Sequence, residues 1–319
     1  MYKILIKSLL LVLPLILYAL LSICIDPYEY YGTCKISTLH KKKISRKIDP
    51  VLYDLMSYRS DPKDVVIIGD SRAGLLRNNQ YLEERFPGNV AVVSIGMATL
   101  ADEINCLKFV MANSAPKSIV MSIHLGIYNA VNNRDITSKV LKVSNPQYKI
   151  MHPFDRSVAL AIWGILRQMI NDEYNVDNFN LYVQPNMSKD EFWDYQLANV
   201  PQKHYARYIY PEKYKNELEE LVEQCVHRGI DFRFVIMPSH LDEIMMVDKY
   251  NRRKEMERFL DDVSKIAPVY NFGLSNVITK SRDAFSDPYH FVGIEVGNIV
   301  AKDIFSQYPE VATRIANGH

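Results

Sequence analysis

Short apolar runs alternate with amphipathic stretches from residue 64 onward. The apolar runs are Val65–Ile68, Val90–Ile95, Ser118–Ile123, Phe232–Met237 and Val269–Phe272. Helical periodicity predicts helices near Leu75–Phe86, Thr99–Ala112, Lys213–Arg228, Asp242–Ile266 and Gly293–Phe305. A short apolar run bounded by Gly is typical of a strand buried on both faces of a parallel sheet. The pattern therefore predicts an α/β fold, a three-layer sandwich around a five-stranded parallel sheet.

Residues 130–210 interrupt this alternation. The segment is rich in Asn, Tyr and Trp, and its clearest helical stretch is Val158–Ile170. Its aromatic residues include Tyr148, Trp163, Phe192, Trp193, Tyr195, Tyr205, Tyr208 and Tyr210. Such residues form the core of an insertion, stack on sugar rings or dock a membrane partner, and the sequence leaves these alternatives open.

An uncharged apolar stretch, Ser8–Ile25, follows Lys3 and Lys7. As a helix it would be about 27 Å long, close to the thickness of a bilayer core. The two lysines favour a cytoplasmic N-terminus, which places everything after Asp26 outside the cytoplasm. No small-x-small cleavage site follows, so we predict an uncleaved anchor rather than a removed signal peptide. A bacterial lipoprotein signal around Leu21–Cys24 is the weaker alternative.

Residues 26–63 are predicted to be a juxtamembrane linker, between the anchor at 1–25 and an α/β domain at 64–319. The tyrosines of Asp26–Gly32 suit a membrane interface. A basic cluster follows: His40, Lys41, Lys42, Lys43, Arg46 and Lys47. It is either a solvated part of the linker or a contact for anionic headgroups or an anionic wall polymer.

Composition narrows the classes of function. The 319 residues carry a net charge of +1, which argues against a nucleic-acid binder, and 48% hydrophobic residues suffice for a core. Four cysteines give no disulfide framework. Cys106 and Cys225 fall in helical patterns as small core residues, whereas Cys24 and Cys34 flank the membrane exit and are close enough in sequence to pair.

Candidate catalytic residues stand at the predicted strand ends, which meet in one crevice of a parallel sheet. Ser71 follows the first strand in Gly69-Asp70-Ser71, where a simple helix cap is the alternative role. Asp287 and His290 are three residues apart, so one turn can join the carboxylate to the imidazole. That pair would activate the Ser71 hydroxyl as a nucleophile.

Other groups near these strand ends have less specific signals. The backbone amides of Ser71 and Gly96 and the side chain of Asn129 are candidate oxyanion donors. Asp70, Arg72 and His240 are possible substrate contacts, and His124 and His240 alone do not make a metal site. We expect no metal and no cofactor.

The order and spacing of these motifs resemble the SGNH (GDSL-like) hydrolase superfamily over residues 64–308. The resemblance implies a flavodoxin-like sheet of strand order 2-1-3-4-5 and a triad of Ser71, His290 and Asp287 acting on esters or transferring acyl groups. It also implies an oxyanion hole of Ser71, Gly96 and an Asn. The third block departs from the family pattern: Gly126–Asn129 replaces Gly-x-Asn-Asp, so Asn132 is the alternative to Asn129.

The architecture also resembles the accessory proteins of cell-surface polymer acylation, such as the D-alanine transfer proteins (DltD) and the alginate and peptidoglycan O-acetylation partners. This second resemblance implies a cell-surface polysaccharide or teichoic-acid-like polymer as acceptor, and a membrane-bound O-acyltransferase as partner.

Three functions follow from the sequence. The first is a membrane-anchored, extracytoplasmic serine acyltransferase or esterase acting on a glycan or wall polymer. The second is a membrane-facing carboxylesterase or lipase that needs no partner. The third is a catalytically degenerate SGNH domain that serves as a binding scaffold.

Overall fold

The computed structural model describes residues 2–32, 39–131, 136–143, 145–171 and 187–316. The strands are β1 (Val65–Asp70), β2 (Val90–Ile95), β3 (Ser118–Ser122), β4 (Asp231–Ile236), β5 (Val269–Asn271) and β6 (Thr313–Ile315). The helices are α1 (Tyr2–Ile25), α2 (Leu39–Ile48), α3 (Pro50–Ser60), α4 (Gln80–Arg85), α5 (Leu100–Asn113), α6 (Ser138–Leu141), α7 (Pro146–Met151), α8 (Arg156–Ile170), α9 (Lys189–Tyr205), α10 (Glu212–His227), α11 (Leu241–Ile244), α12 (Met246–Lys249), α13 (Arg253–Ile266) and α14 (Ile294–Ile304).

Over the described residues, the six strands form one sheet of order β2-β1-β3-β4-β5-β6. The predicted order of the first five strands, all parallel, is confirmed. The prediction of a purely parallel, five-stranded sheet is wrong, because β6 pairs with β5 in the antiparallel direction. This strand has only three residues and two of them are exposed, so it has no apolar run that a sequence pattern could reveal.

The register brings the ends of the central strands level. Asp70, the last residue of β1, pairs with Ile95, the last residue of β2. All six residues of β1 are buried, which explains its uninterrupted apolar sequence. Ser71 and Gly96 are therefore the first residues beyond two neighbouring strand ends.

Helices cover both faces of the sheet. On one face, α14 contributes Val300, Ala301 and Ile304 to a core that includes Ile67, Val120 and Val235 from the central strands. On the other, α5 packs against β1, and α10 packs against both β4 and α5. Alternation of side chains along each strand gives each face its own apolar layer. The predicted three-layer arrangement is thus present.

Two predicted helices are interrupted. The stretch predicted over Asp242–Ile266 is divided among α11, α12 and α13, with Asn251 in the left-handed region at φ 55°. The stretch predicted near Leu75–Phe86 consists of a 3₁₀ turn and α4, with Asn78 at φ 57° between them. Asn tolerates this conformation better than most residues, so each Asn ends one helical segment before the next begins.

The chain divides into two compact units, one formed by Met1–Asp61 with Lys139–Gln184 and the other by Pro62–Ser138 with Pro185–His319. In the first unit, α2 packs against α3 and α8. The segment 26–63, expected to be a linker, therefore contains two helices with tertiary contacts. Asp49 caps α3 by accepting the N–H of Leu52, and Pro50 occupies the first turn.

The predicted membrane span Ser8–Ile25 lies in α1. The side chains of residues 1–11 lie outside the described part of the structure. Over the part that is described, no helix is long and apolar enough to cross a membrane. Cys34 and His40, named above as a possible disulfide partner and a member of the basic cluster, also lie outside the described side chains.

Asp303 fastens the segment that leads into β6. Its buried carboxylate accepts the backbone N–H groups of Glu310, Val311 and Ala312 at 2.9, 2.7 and 2.8 Å. Asp303→Ala should lower the free energy of unfolding by about 3 kcal/mol, since it leaves three inward N–H groups without a charged acceptor. Urea unfolding measures the loss. Glu310→Ala, which removes only the exposed partner of Lys302, is the control, and an equal effect of both substitutions would contradict this role.

Candidate active site

Ser71 lies where β1 ends and the chain turns. A 3₁₀ helix at Ala73–Leu76 follows it, so the regular helix predicted to begin at this serine is absent. Gly69 allows β1 and β3 to approach closely, because a Cβ at this position would lie 2.4 Å from the Cβ of Ser122. The tight turn leaves Ser71 half-buried, with its side chain at the carboxyl edge of the sheet.

A hydrogen-bonded chain joins the three predicted catalytic residues. Ser71 Oγ lies 2.8 Å from His290 Nε2, and His290 Nδ1 lies 2.8 and 3.0 Å from the two carboxylate oxygens of Asp287. An ionised carboxylate only accepts hydrogen bonds, so Nδ1 carries the imidazole hydrogen and Nε2 accepts the Ser71 hydroxyl. This is the orientation in which a histidine acts as a general base on a serine.

The turn from Asp287 to His290 orients the imidazole. Asp287 Oδ1 also accepts the backbone N–H groups of Tyr289 and His290, at 3.0 and 3.2 Å. The carbonyl of Pro288 accepts the N–H of His240 at 2.9 Å, which ties the turn to the segment after β4. Burial raises the pKa of Asp287, but the His290 hydrogen bond and charge outweigh it and keep the pKa below its usual value. Asp287 is therefore a carboxylate at neutral pH.

Ser71 and Gly96 follow directly on the paired ends of β1 and β2, so their backbone N–H groups lie at the same edge of the sheet. Gly96 is exposed, and a Cβ built on it would meet no atom within 4 Å. The space on the Cβ side of Gly96 is therefore open.

The side chain of Asn129 makes hydrogen bonds to the backbone and not the predicted oxyanion contact. Its amide nitrogen donates to the carbonyls of His204 and Arg207 at 2.9 and 3.1 Å, while its oxygen accepts two further backbone N–H groups. The side chain is 3% exposed. All its hydrogen-bonding capacity is spent on tethering the segment after α9, so it has no donor left for an oxyanion. Asn132, the alternative, lies outside the described residues.

Asp70 and Arg72 are buried rather than available as substrate contacts. The carboxylate of Asp70 accepts the backbone N–H and the Nε–H of Arg72, both at 2.9 Å, and the guanidinium also donates to Ser239 Oγ at 3.1 Å. Burial raises the pKa of Asp70, but the Arg72 charge outweighs this and holds the pKa well below its usual range. The predicted substrate contact of these two residues stays a prediction, and in this structure both side chains are paired with each other in the interior.

His240 likewise has a structural position. Its Nδ1 accepts the N–H of Asp242 at 3.2 Å at the start of α11, and its buried ring contacts Trp193 edge-on. His240 therefore caps α11, and its predicted contact with substrate stays a prediction. His124, also at a strand end, lies with Nε2 3.4 Å from Asp70 Oδ2.

The sequence analysis missed several buried polar residues behind Ser71. Tyr205 donates to Glu243 at 2.8 Å, and Glu103 is fully buried with no hydrogen-bond partner for either oxygen within the described residues. Burial and the charge of Asp70 raise the pKa of Glu103 well above its usual value. A signal existed for Glu103, since it occupies the apolar side of α5 beside Leu100 and Leu107.

A cavity of about 260 Å³ lies behind this polar cluster. Arg72, Tyr205 and Glu243 line its polar side. The remaining wall is largely apolar and includes Ile236, Met245, Met256, Phe259, Leu260 and Leu274. Neither Ser71 nor His290 is among the lining residues, so the cavity is separate from the open space before the nucleophile.

No protein-family model matches the sequence, and no curated protein matches it. The chain is similar to solved structures. A GDSL-like lipase from Bacteroides thetaiotaomicron is 8% identical, with 78% of this chain and 96% of the lipase covered and a TM-score of 0.38. A protein described as an acylhydrolase from Bacteroides fragilis is 10% identical, with coverages of 78% and 92% and a TM-score of 0.39. An α/β hydrolase enzyme from the metagenome of Lake Arreo, Spain, is 12% identical, with coverages of 76% and 93% and a TM-score of 0.36. At these TM-scores the similarities carry no argument about this chain.

Two buried histidines make stability depend on pH. Burial lowers the pKa of His124 to about 4 and of His204 to about 3, from an ordinary value of 6.5. Below pH 6.5 both histidines become protonated in the unfolded chain but stay neutral in the folded chain. The free energy of unfolding therefore falls as pH drops from 6.5 toward 4. His204→Asn should reduce this slope by up to about 1.4 kcal/mol per pH unit.

Urea unfolding at several pH values between 7 and 5 measures the slope. His227→Asn is the matched control, because His227 is exposed and its loss should leave the slope unchanged. A His204→Asn variant with the wild-type slope would contradict the assignment of a neutral, buried imidazole.

Proposed function

We propose that the chain is a serine esterase or acyltransferase that works through an acyl-enzyme on Ser71. The observation that carries the proposal is the hydrogen-bonded chain from Ser71 through His290 to Asp287, at 2.8 Å for each of its two closest contacts. Removing the hydroxyl proton during attack is the step that a serine cannot perform alone. The turn at Asp287 supplies the fixed imidazole that this step needs.

The reaction follows from the positions of the protons. His290 Nε2 takes the proton as Ser71 Oγ attacks the ester carbonyl, and Asp287 stabilises the resulting imidazolium. The tetrahedral intermediate expels the alcohol, which receives the proton from His290, and an acyl group remains on Ser71. A water or an acceptor hydroxyl then gives its proton to His290 and attacks the acyl carbonyl. The second tetrahedral intermediate expels Ser71 Oγ, which takes the proton back from His290, and an acid or a new ester is released.

The oxyanion hole in this proposal consists of the backbone N–H groups of Ser71 and Gly96. The paired ends of β1 and β2 support this choice, since they set the two residues side by side. Donors held by a sheet need no reorganisation when charge develops on the carbonyl oxygen. Asn129 takes no part, because its amide is bonded to backbone carbonyls.

The acceptor we propose is a hydroxyl-rich glycan or wall polymer outside the cytoplasm, reached by a chain that α1 anchors in the membrane. The apolar sequence Ser8–Ile25 supports the anchor, together with exposed apolar side chains on α1 between Val12 and Leu21. A membrane-bound O-acyltransferase would supply the acyl group in the transfer reaction. A carboxylesterase or lipase that faces the membrane is the second candidate, and the same triad supports it.

Ser71→Ala should abolish acyl turnover by at least about 10³-fold, because no hydroxyl remains for acylation. His290→Asn should cause a loss of similar size, since the residues act as one unit. A fluorophosphonate probe measures the nucleophile directly: wild-type chain should form one adduct on Ser71 and the Ser71→Ala variant none. Ser264→Ala, which changes a half-buried serine on α13, is the control. Absence of an adduct on wild-type chain would favour a non-catalytic scaffold.

Ester hydrolysis and acyl transfer can be distinguished by whether the reaction needs an acceptor hydroxyl other than water. Wild-type chain that releases p-nitrophenol from short acyl esters with no partner protein is acting as an esterase. A dedicated transferase instead holds the acyl group on Ser71 until a sugar hydroxyl is supplied, so mass spectrometry should detect the acylated peptide until then.

Gly96→Ala tests the role of Gly96 in the proposed oxyanion hole. The new methyl group would meet no protein atom within 4 Å, so the urea unfolding midpoint should not change. It would occupy the space before Ser71, and kcat/KM for ester hydrolysis should fall by about 10²-fold, as for the loss of an oxyanion contact. Gly88→Ala would be a poor control, because Gly88 has a positive φ. Ala98→Gly, near Gly96 but buried, is the control, and equal kcat/KM for Gly96→Ala and wild type would refute the oxyanion role.

A further inference from the structure

Helix α8 is apolar on two faces. Its inner face buries Val158, Ala161, Ile162 and Ile165. The opposite face carries Arg156, Leu160, Trp163, Arg167 and Ile170, at the spacing of a single helical stripe. Trp163 is 49% exposed and Ile170 is 87% exposed. The outer stripe thus combines exposed large apolar side chains with two arginines, which is the composition of a helix at a membrane interface.

This exposed surface continues onto the segment before α8. Ile150, Met151 and Phe154 are exposed there, and Met169 is exposed at the end of α8. We call the whole set the apolar collar: Ile150, Met151, Phe154, Leu160, Trp163, Met169 and Ile170. Monomeric proteins seldom leave so many large apolar side chains in water on one small unit.

The apolar collar is continuous with α1. The ring of Phe154 packs against Tyr18 of α1 with centroids 5.8 Å apart, and α1 also contacts α8. Beyond this junction, α1 presents a series of exposed leucines, isoleucines and a valine: Val12, Leu13, Leu15, Ile16, Leu17, Leu20 and Leu21. Its last turn is buried at Ser22 and Ile25. The collar thus lies beside the point where the apolar part of α1 joins the folded unit.

The charges near the apolar collar suit a lipid interface. Arg167 lies over the ring of Trp163 at 5.0 Å, a pairing in which the guanidinium can reach headgroups while the ring stays among acyl chains. Helix α2, which packs against α8, has five basic residues, of which Lys42 and Lys43 are exposed, whereas Lys41 is buried and Arg46 pairs with Asp54. Tryptophan is enriched at membrane interfaces, and basic residues beside it attract anionic lipids.

We propose that the apolar collar inserts into the headgroup region of an anionic bilayer, as a second membrane contact in addition to α1. Trp163 would then lie with its apolar neighbours about 5–10 Å into the boundary between headgroups and acyl chains. The proposal does not rest on the chemistry of Ser71, and an inactive Ser71→Ala chain should insert in the same way.

Tryptophan fluorescence tests the insertion directly. The chain has two tryptophans, and the second, Trp193, is 1% exposed in the other compact unit. The full chain is reconstituted in vesicles of phosphatidylglycerol and phosphatidylethanolamine that contain a phosphatidylcholine brominated near the glycerol end of its acyl chains. Bromolipid should quench the emission of wild-type chain, and Trp163→Phe should abolish the quenchable part. Aqueous iodide should quench Trp163 weakly.

Two outcomes overturn the proposal. Quenching of Trp163 by iodide and not by bromolipid would place the collar in water. Protection from both quenchers would show a protein partner or a second copy on this surface. Fluorophosphonate labelling of Ser71 in the same samples reports the catalytic proposal separately, so failure of one leaves the other standing.

A charge-introducing variant provides the second measurement. Met169→Glu with Ile170→Glu should reduce quenching of Trp163 by bromolipid, because two carboxylates would be repelled by the anionic interface. Val277→Glu is the matched control, since Val277 is 74% exposed in the other unit and its replacement should leave the quenching unchanged. Unchanged quenching in the double variant would refute insertion of the collar.

Discussion

The buried ion pair between Asp70 and Arg72 fixes the turn that carries the nucleophile. The two residues flank Ser71, and Asp70 binds both the backbone N–H and the guanidinium of Arg72. These bonds draw both neighbours of Ser71 into the interior and leave the serine between them half-buried beside His290. Burying two charges costs several kcal/mol each, so the pair endures only because its hydrogen bonds are nearly complete.

The pKa values of the titratable groups around the Asp70–Arg72 pair are shifted by burial. Burial raises the pKa of Glu243 and Glu103 and lowers that of His124, so burial shifts each of them toward its neutral form. A low-dielectric interior tolerates one compensated pair much better than several separate charges. The ion pair of Asp70 and Arg72 is therefore the main charge–charge contact of the polar cluster behind Ser71, and it holds the serine from both sides.

The sequence allowed a correct prediction where a single local pattern determines the structure. Uninterrupted apolar runs identified the five parallel strands, and the spacing of Asp287 and His290 anticipated a turn that joins carboxylate and imidazole. The roles of Arg72 and Asn129 could not be read in the same way. A charged or amide side chain at a strand end is equally consistent with facing a substrate or an interior partner, and Ser239 and His204 supply those partners from far along the chain.

Long-range contacts also explain why α2, α3 and β6 were not predicted from the sequence. Helix α2 is stabilised by contact with α8, more than a hundred residues later, and Ser157 donates to Asp49, the cap of α3, across that gap at 2.7 Å. Viewed locally, the basic sequence of α2 resembles a solvated linker, because its apolar positions have no partner within reach. Long-range packing overrides a weak local signal in such cases, and β6 shows the same effect through the carboxylate of Asp303.

The engagement of Asn129 changes the energetics expected of the proposed reaction. Each donor of an oxyanion hole contributes roughly 2.7–4 kcal/mol to transition-state stabilisation, so a hole built from two backbone N–H groups provides less than one with an added side-chain amide. The difference matters most for poor leaving groups, where charge accumulates on the carbonyl oxygen before the bond breaks.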